Sequence, residues 1–191
     1  VKDIDLSNMR QFSMGGEMVR YATIQSFCDT FGVNPQNMDP SYGMAEMVCG
    51  FMHASTVRCI QVQLDGNKVV VCKDKGAVYV SVGKPGTAQR LLIVNANDEA
   101  VGEDTVGEIM LHGPSMMSGY YHQAPNFFTV DDVSFVRSGD LGFLHDGDLY
   151  VCGRKKAVII VNGRNVFAAD VENVVLETCG QYLRAGAIAA L

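Results

Sequence analysis

Two turn signatures flanked by alternating apolar runs constrain this chain more than any other feature. Ile60-Gln61-Val62-Gln63-Leu64 alternates, Asp65-Gly66-Asn67 turns, and Val69 to Cys72 returns. Phe143-Leu144-His145 and Leu149-Tyr150-Val151 flank Asp146-Gly147 in the same way. Asp-Gly between period-two runs is a strong hairpin signal, because the tight turn that fits strand twist needs positive φ at its central residues. The middle of the chain therefore reads as antiparallel sheet, extended by strand-like runs at Ala77 to Val82, Leu91 to Val94 and Val106 to His112. The stretch from Gly113 to Asp132 shows no period and reads as irregular.

Helix signals sit towards the two ends. A short mixed run, Arg10 to Met14, closes at Gly15-Gly16, and from Glu17 to Phe31 the residues Val19, Ala22, Phe27 and Phe31 recur at near-helical spacing before Gly32 stops the run. Asp170 to Thr178 reads as a second helix with Val171, Val174, Val175 and Thr178 on one side and Gly180 after it. Ala185 to Leu191 resembles a strand. The fold class expected is α/β with mixed α+β: an α/β layer over residues 1 to about 50, a twisted, barrel-like β region over 51 to 152, and the start of an α+β unit from 153.

Composition bears on partners. With 15 Lys and Arg against 21 Asp and Glu among 191 residues, the net charge is −6, and no basic block exists to line up on phosphates, which argues against a nucleic-acid partner. At 48% apolar the chain has ample material for a core, yet no apolar run approaches the roughly 18 residues of a membrane span. The start, Val1-Lys2-Asp3-Ile4-Asp5, lacks the pattern of a signal peptide. Six cysteines without metal-like spacing read as reduced thiols, mostly core filler, in a cytoplasmic protein.

Several familiar motifs fail. Gly83-Lys84 lacks the upstream glycine of a phosphate loop and is followed by Pro85; Gly113-x-Ser115 has Met117 where a nucleophile elbow needs glycine. What remains is an ordered set of short segments: Ser13-Met14-Gly15-Gly16-Glu17, Tyr42-Gly43-Met44-Ala45-Glu46, Ser81-Val82-Gly83-Lys84-Pro85, Gly107 to Gly113 with Gly119-Tyr120, Arg137 to Gly142, Gly153-Arg154-Lys155-Lys156, Asn162-Gly163-Arg164-Asn165 and Asp170-Val171-Glu172. In order and spacing this set resembles the acyl-adenylate-forming, AMP-binding superfamily. It is most similar to the fatty acyl-AMP ligases, through Ala45, the strings Ser138 to Leu144 and Ile159 to Asn165, and the long segment between Glu46 and Ser81.

The resemblance implies roles. Gly15, Gly16 and Glu17 would face an adenine ring, and missing Cβ atoms at the two glycines permit close approach. Tyr42 offers a face for stacking a base, with Gly43, Met44 and Ala45 beside it, and Glu46 offers hard oxygens to Mg²⁺ in a catalytic role. Asp140, at a strand start after Gly139, would accept ribose hydroxyls; Arg154 would donate to ribose or phosphate. Lys156 would be the hinge between the end of a large AMP-binding domain (1–152) and the start of a small C-terminal domain (153–191), and Ala157 departs from the acidic residue usual there. Read alone, each has a plainer alternative: a strand-to-helix turn, a core tyrosine, a solvated carboxylate, a turn aspartate, a surface ion pair. His112 and His145 read as structural.

The implied activity is ATP- and Mg²⁺-dependent conversion of a fatty acid to acyl-AMP, for transfer to the phosphopantetheine thiol of an acyl carrier protein. CoA as acceptor is one alternative, and a catalytically silent nucleotide-binding or regulatory module is another. The family's Ser/Thr/Gly-rich phosphate loop would precede Val1 and its catalytic lysine would follow Leu191. The chain is therefore expected to be an internal fragment, inactive in adenylation by itself.

Overall fold

The computed structural model describes residues 4–48, 51–123, 127–161 and 164–183. The chain opens with strand β1 (Phe12–Met14), helix α1 (Tyr21–Phe31) and strand β2 (Met38–Tyr42). β1 and β2 pair in parallel, Phe12 opposite Met38, an arrangement that needs a crossover connection, which α1 supplies. A short strand β3 (Met52–His53) pairs antiparallel to β2. α1 buries Ile24 and Cys28, and its Phe27 ring packs 5.4 Å from Phe12 and 4.8 Å from Phe31. Gly32 ends it in the left-handed region at φ 65°, as read. The start differs: after Gly16, at φ 85°, residues 17–20 stay outside the helix, which begins only after the extended Arg20. The expected stripe shifts accordingly, and Ala22 is exposed.

The β region comprises two antiparallel sheets. Strands β4 (Cys59–Asp65), β5 (Lys68–Val71) and β6 (Ala77–Val80) form one, in the order β5-β4-β6. The other contains β7 (Arg90–Val94), β8 (Gly107–His112), β9 (Phe127–Val130), β10 (Val133–His145) and β11 (Asp148–Arg154), in the order β11-β10-β8-β7 with β9 on β10. Bridges Ser81 to Tyr150 and Lys68 to Thr105 join the two sheets. Between them lies a cluster containing Val62, Tyr79, Phe143, Tyr150 and Cys152, in which Phe143 stacks on Tyr150 at 5.3 Å and 10°.

Both hairpins form where expected: Asp65 pairs with Lys68, and His145 with Asp148 across Asp146 and Gly147 at φ 52° and 76°. Two expectations fail here. The stretch read as irregular contains β9, which returns into β10 through Asp131 and Asp132 at φ 48° and 61°. Asp140 sits inside the 13-residue β10, not at a strand start.

A final hairpin, β12 (Val158–Val161) and β13 (Arg164–Phe167), leads into α2 (Ala168–Cys179). Val174 of α2 is 61% exposed and Thr178 is exposed, so the expected apolar side holds only in part. Gly180 stays right-handed at φ −56° and continues into a single 3-10 turn instead of stopping the chain. The expected strand Ala185 to Leu191, the pair Asn162-Gly163 and Cys49 lie outside the described residues. The five described cysteines are free; only Cys28 and Cys152 are buried, whereas Cys59 and Cys179 are exposed, so the reading of mostly core filler fails. Among the described residues no helix is long and apolar enough to cross a membrane. The architecture is mixed α+β, sheet-rich with two α-helices among the described residues.

Candidate functional site

A cavity of about 920 Å³ opens where the β1–α1 connection, the end of β2, the β10–β11 pair and α2 meet. Its walls include Gly15, Gly16, Glu17, Tyr42, Gly43, Asp140 and Arg154, so seven of the residues read from scattered segments converge on one space. Met44, Ala45, Glu46 and Lys156 do not line it.

Asp140 is placed by an irregularity in β10. The register against β8 shifts between Arg137 and Leu141, and that against β11 between Leu141 and Gly142, with Gly139 at φ 71°. Such a bulge bends a strand and re-aims a side chain. Ser138 stabilises the bend: its hydroxyl donates to Ile109 O at 2.8 Å and accepts from Asp140 N at 3.0 Å. The Asp140 carboxylate then receives the Tyr42 hydroxyl at 2.8 Å on Oδ2 and Arg154 Nε at 2.9 Å on Oδ1. The Tyr42 ring belongs to a buried apolar cluster with Met47, Phe51 and Val82, so its hydroxyl orients Asp140 whatever its ring does for a ligand.

Burial is the main influence raising the Asp140 pKa above its ordinary value; the Tyr42 hydroxyl and Arg154 oppose it, and the negative charge of Glu108 adds to it. Glu108 is itself buried on β8 and accepts from Lys155 Nζ at 2.8 Å and Arg137 Nη1 at 3.1 Å. Consecutive residues Arg154 and Lys155 thus meet two neighbouring buried acids.

Because folding raises the pKa of Asp140, its contribution to stability is fully present below the ordinary carboxylate pKa and is lost as pH rises through the raised value. The unfolding free energy of an Asp140→Asn variant is expected to gain on that of the wild type as pH rises from about 3 to about 7. Denaturant titrations across that range check this, and parallel curves would contradict it.

The two glycines separate in role. A Cβ on Gly15 would lie 2.6 Å from Ser41 Oγ and 2.7 Å from Ser41 O, so this glycine serves the close approach of β1 to β2. Gly16 faces open space at φ 85° and leaves bare backbone on the cavity wall. Glu46, on a 3-10 turn at Ala45–Met47, accepts the hydroxyl of Tyr120, and Met117 N donates to its carbonyl at 2.8 Å. Among the described residues no three His, Cys, Asp or Glu converge as a metal site. A lone hard carboxylate fits magnesium when the ion arrives on phosphates, which supply the other oxygens along with water. Lys156 is exposed on the turn Lys155–Ala157, and Ala157 reaches the cavity wall. His145 Nδ1 lies 2.7 Å from Asp104 Oδ1, and His112 Nδ1 lies 2.8 Å from Ser134 O.

Sequence reasoning gave no site role to Arg20 and Glu172, which pair at the cavity wall at 2.7 Å, or to Phe167 and Leu176, which also line it. Nothing local marks Arg20; Glu172 was noted only as part of a motif.

A profile of the family described as AMP-binding enzyme matches residues 1–121. The medium-chain fatty acid–[acyl-carrier-protein] ligase JamA of Moorena producens is 35% identical over 193 residues, covering 89% of this chain and 33% of its own. The long-chain fatty acid–AMP ligase FadD32 of Mycolicibacterium smegmatis is 33% identical over 218 residues, covering 98% and 34%. A solved structure from work on fatty acyl-adenylate ligases of E. coli and L. pneumophila superposes with a TM-score of 0.82 at 29% identity, over 93% of this chain and 34% of the other. The chain spans about a third of the length of the curated relatives it matches.

Proposed function

The chain belongs to the AMP-binding enzyme family, and on that premise we propose that it forms the nucleoside-holding part of a ligase. That ligase uses ATP to convert a fatty acid to acyl-AMP and passes the acyl group to the phosphopantetheine thiol of a carrier protein. One observation carries the reading: a buried carboxylate, Asp140, is held rigidly by Tyr42 and Arg154 at the wall of a cavity large enough for a nucleotide. A carboxylate oriented in this way accepts a pair of vicinal ribose hydroxyls through charge-assisted bonds. The bare backbone at Gly16, flanked by Glu17, suits a flat adenine. The names of the relatives support the fatty-acid substrate and the carrier acceptor.

In this reading Arg154 keeps the Asp140 carboxylate turned into the cavity, and the Tyr42 hydroxyl prevents its rotation. Glu46 is the residue that would hold Mg²⁺; when bound, the ion neutralises charge on the nucleotide phosphates. Residues 1–152 form the end of the nucleotide domain, and Lys156 is the pivot for the unit that follows.

Both cations of the described cavity wall, Arg20 and Arg154, are paired with carboxylates. Charge developing during phosphoryl transfer therefore meets little stabilisation from this chain alone, and the chain by itself is expected to show no ATP–pyrophosphate exchange. The protein that carries it is expected to show exchange dependent on a fatty acid, with the acyl group captured on a phosphopantetheine carrier. Capture on CoA would contradict the proposed acceptor, and exchange that ignores fatty acid would contradict the substrate.

A further inference from the structure

Arg20 is a cation of the cavity wall with no role in the contacts that hold Asp140. It stands just before α1, with its side chain 25% exposed, and gives Nη2 to Glu172 Oε2 at 2.7 Å, the glutamate being 20% exposed. Its charge also acts on Asp170, two residues before Glu172 in α2: burial raises the pKa of that carboxyl, and the Tyr79 hydroxyl and then Arg20 oppose the rise. Asp170 in turn accepts the hydroxyl of the buried Tyr79 at 3.4 Å. The N-terminal half of α2 thus presents one carboxylate, Glu172, to the cavity, with Asp170 behind it, and Arg20 is the cation that acts on both. Among the described lining residues the charged groups are Glu17, Asp140 and Glu172 against Arg20 and Arg154. An anionic ligand entering this space needs a cation from one of two existing pairs.

The two pairs are not equivalent. Arg154 engages Asp140, the carboxylate assigned to the ribose, so withdrawing Arg154 would free the group that must stay oriented. Arg20 engages Glu172 through one guanidinium nitrogen, and the planar fork of arginine matches a phosphate in two-point contact. We propose that Arg20 binds the phosphate of the adenylate in exchange with Glu172, so that the ligand's anion and a carboxylate of α2 compete for one guanidinium. The inference rests on the adenylate reading of the cavity. Because such coupling is reciprocal, a ligand that carries the phosphate loosens α2, whereas the nucleoside alone leaves it in place.

The test compares AMP with adenosine by calorimetric titration of the chain and of its Arg20→Gln and Glu172→Gln variants. Arg20→Gln is expected to weaken AMP about tenfold and to leave adenosine within about twofold, the loss typical of one charged hydrogen-bonding partner. Glu172→Gln is expected to strengthen AMP several-fold, again without effect on adenosine. In the unsubstituted chain, AMP but not adenosine should raise amide hydrogen exchange over residues 168–179. An unchanged ratio of AMP to adenosine affinity in both variants overturns the inference and leaves the adenylate reading standing. Failure of the folded, unsubstituted chain to bind either compound removes both. Adenosine binding by each variant reports that its site is folded, so a loss confined to AMP cannot come from unfolding.

Discussion

Replacing Gly83 with alanine is expected to cost about 3 kcal/mol or more of folding stability, the sum of backbone strain and overpacking where neither can relax. Gly83 holds φ at 96°, and a Cβ there would lie 2.3 Å from His53 O, 2.6 Å from His53 C and 3.1 Å from Ala54 N. Those neighbours are backbone and cannot swing aside. The residue is also tied on both sides: its N–H donates to Ser81 Oγ at 3.0 Å, and its carbonyl accepts from Leu149 N at 2.9 Å. Ser81, fully buried, donates in turn to Asp148 at 2.9 Å. Gly83 therefore sits where the end of β6, the start of β11 and strand β3, which pairs with β2, come together, and the residue before it, Val82, lines the cavity. Gly66 supplies the control. It has φ 61° with open space around it, so Gly66→Ala carries strain alone, about 1 kcal/mol. Urea unfolding of both variants measures the difference; equal losses would mean that the packed seam does not constrain the chain.

Asp140→Ala is expected to reduce affinity for adenosine by about a hundredfold, because two hydrogen bonds to a charged acceptor are lost together. The same substitution removes the acceptor of the Tyr42 hydroxyl and the partner of Arg154, and an unsatisfied buried hydroxyl costs about 1–3 kcal/mol. Asp140→Asn separates the two effects. It keeps an acceptor for Tyr42 and gives up the charge, so it should remain folded at neutral pH while losing about tenfold in affinity. Calorimetry with adenosine decides between them. Wild-type affinity in either variant would show that the ribose does not lie on this carboxylate.

How much of this was legible follows from what each feature depends on. The hairpins at Asp65-Gly66-Asn67 and Asp146-Gly147 were readable because glycine marks the positive φ of their turns. The turn between β9 and β10 uses Asp131 and Asp132 in the same conformation without a glycine, and with it β9 and the start of β10 went unread, although the end of β10 at Phe143–His145 was legible as a hairpin arm. The β1–β2 pair escaped notice because a three-residue strand is too short to show a period. Seven residues of the candidate site were legible as members of ordered segments, but their contacts were not. Tyr42 and Asp140 are 98 positions apart, and Arg20 and Glu172 are 152 apart. Tyr42 looked like a ring for a base, and its hydroxyl proves to be what orients the acid. Asp140 owes its direction to a bulge that only strand registers reveal.

The most direct measurement is a structure of the chain bound to a non-hydrolysable acyl-adenylate analogue. The account predicts both ribose hydroxyls within hydrogen-bonding distance of the Asp140 carboxylate, with the adenine against Gly16 and Glu17 and the Tyr42–Asp140–Arg154 contacts intact. An analogue seated elsewhere, or a folded chain that does not bind it, would contradict the assignment of this cavity to an adenylate.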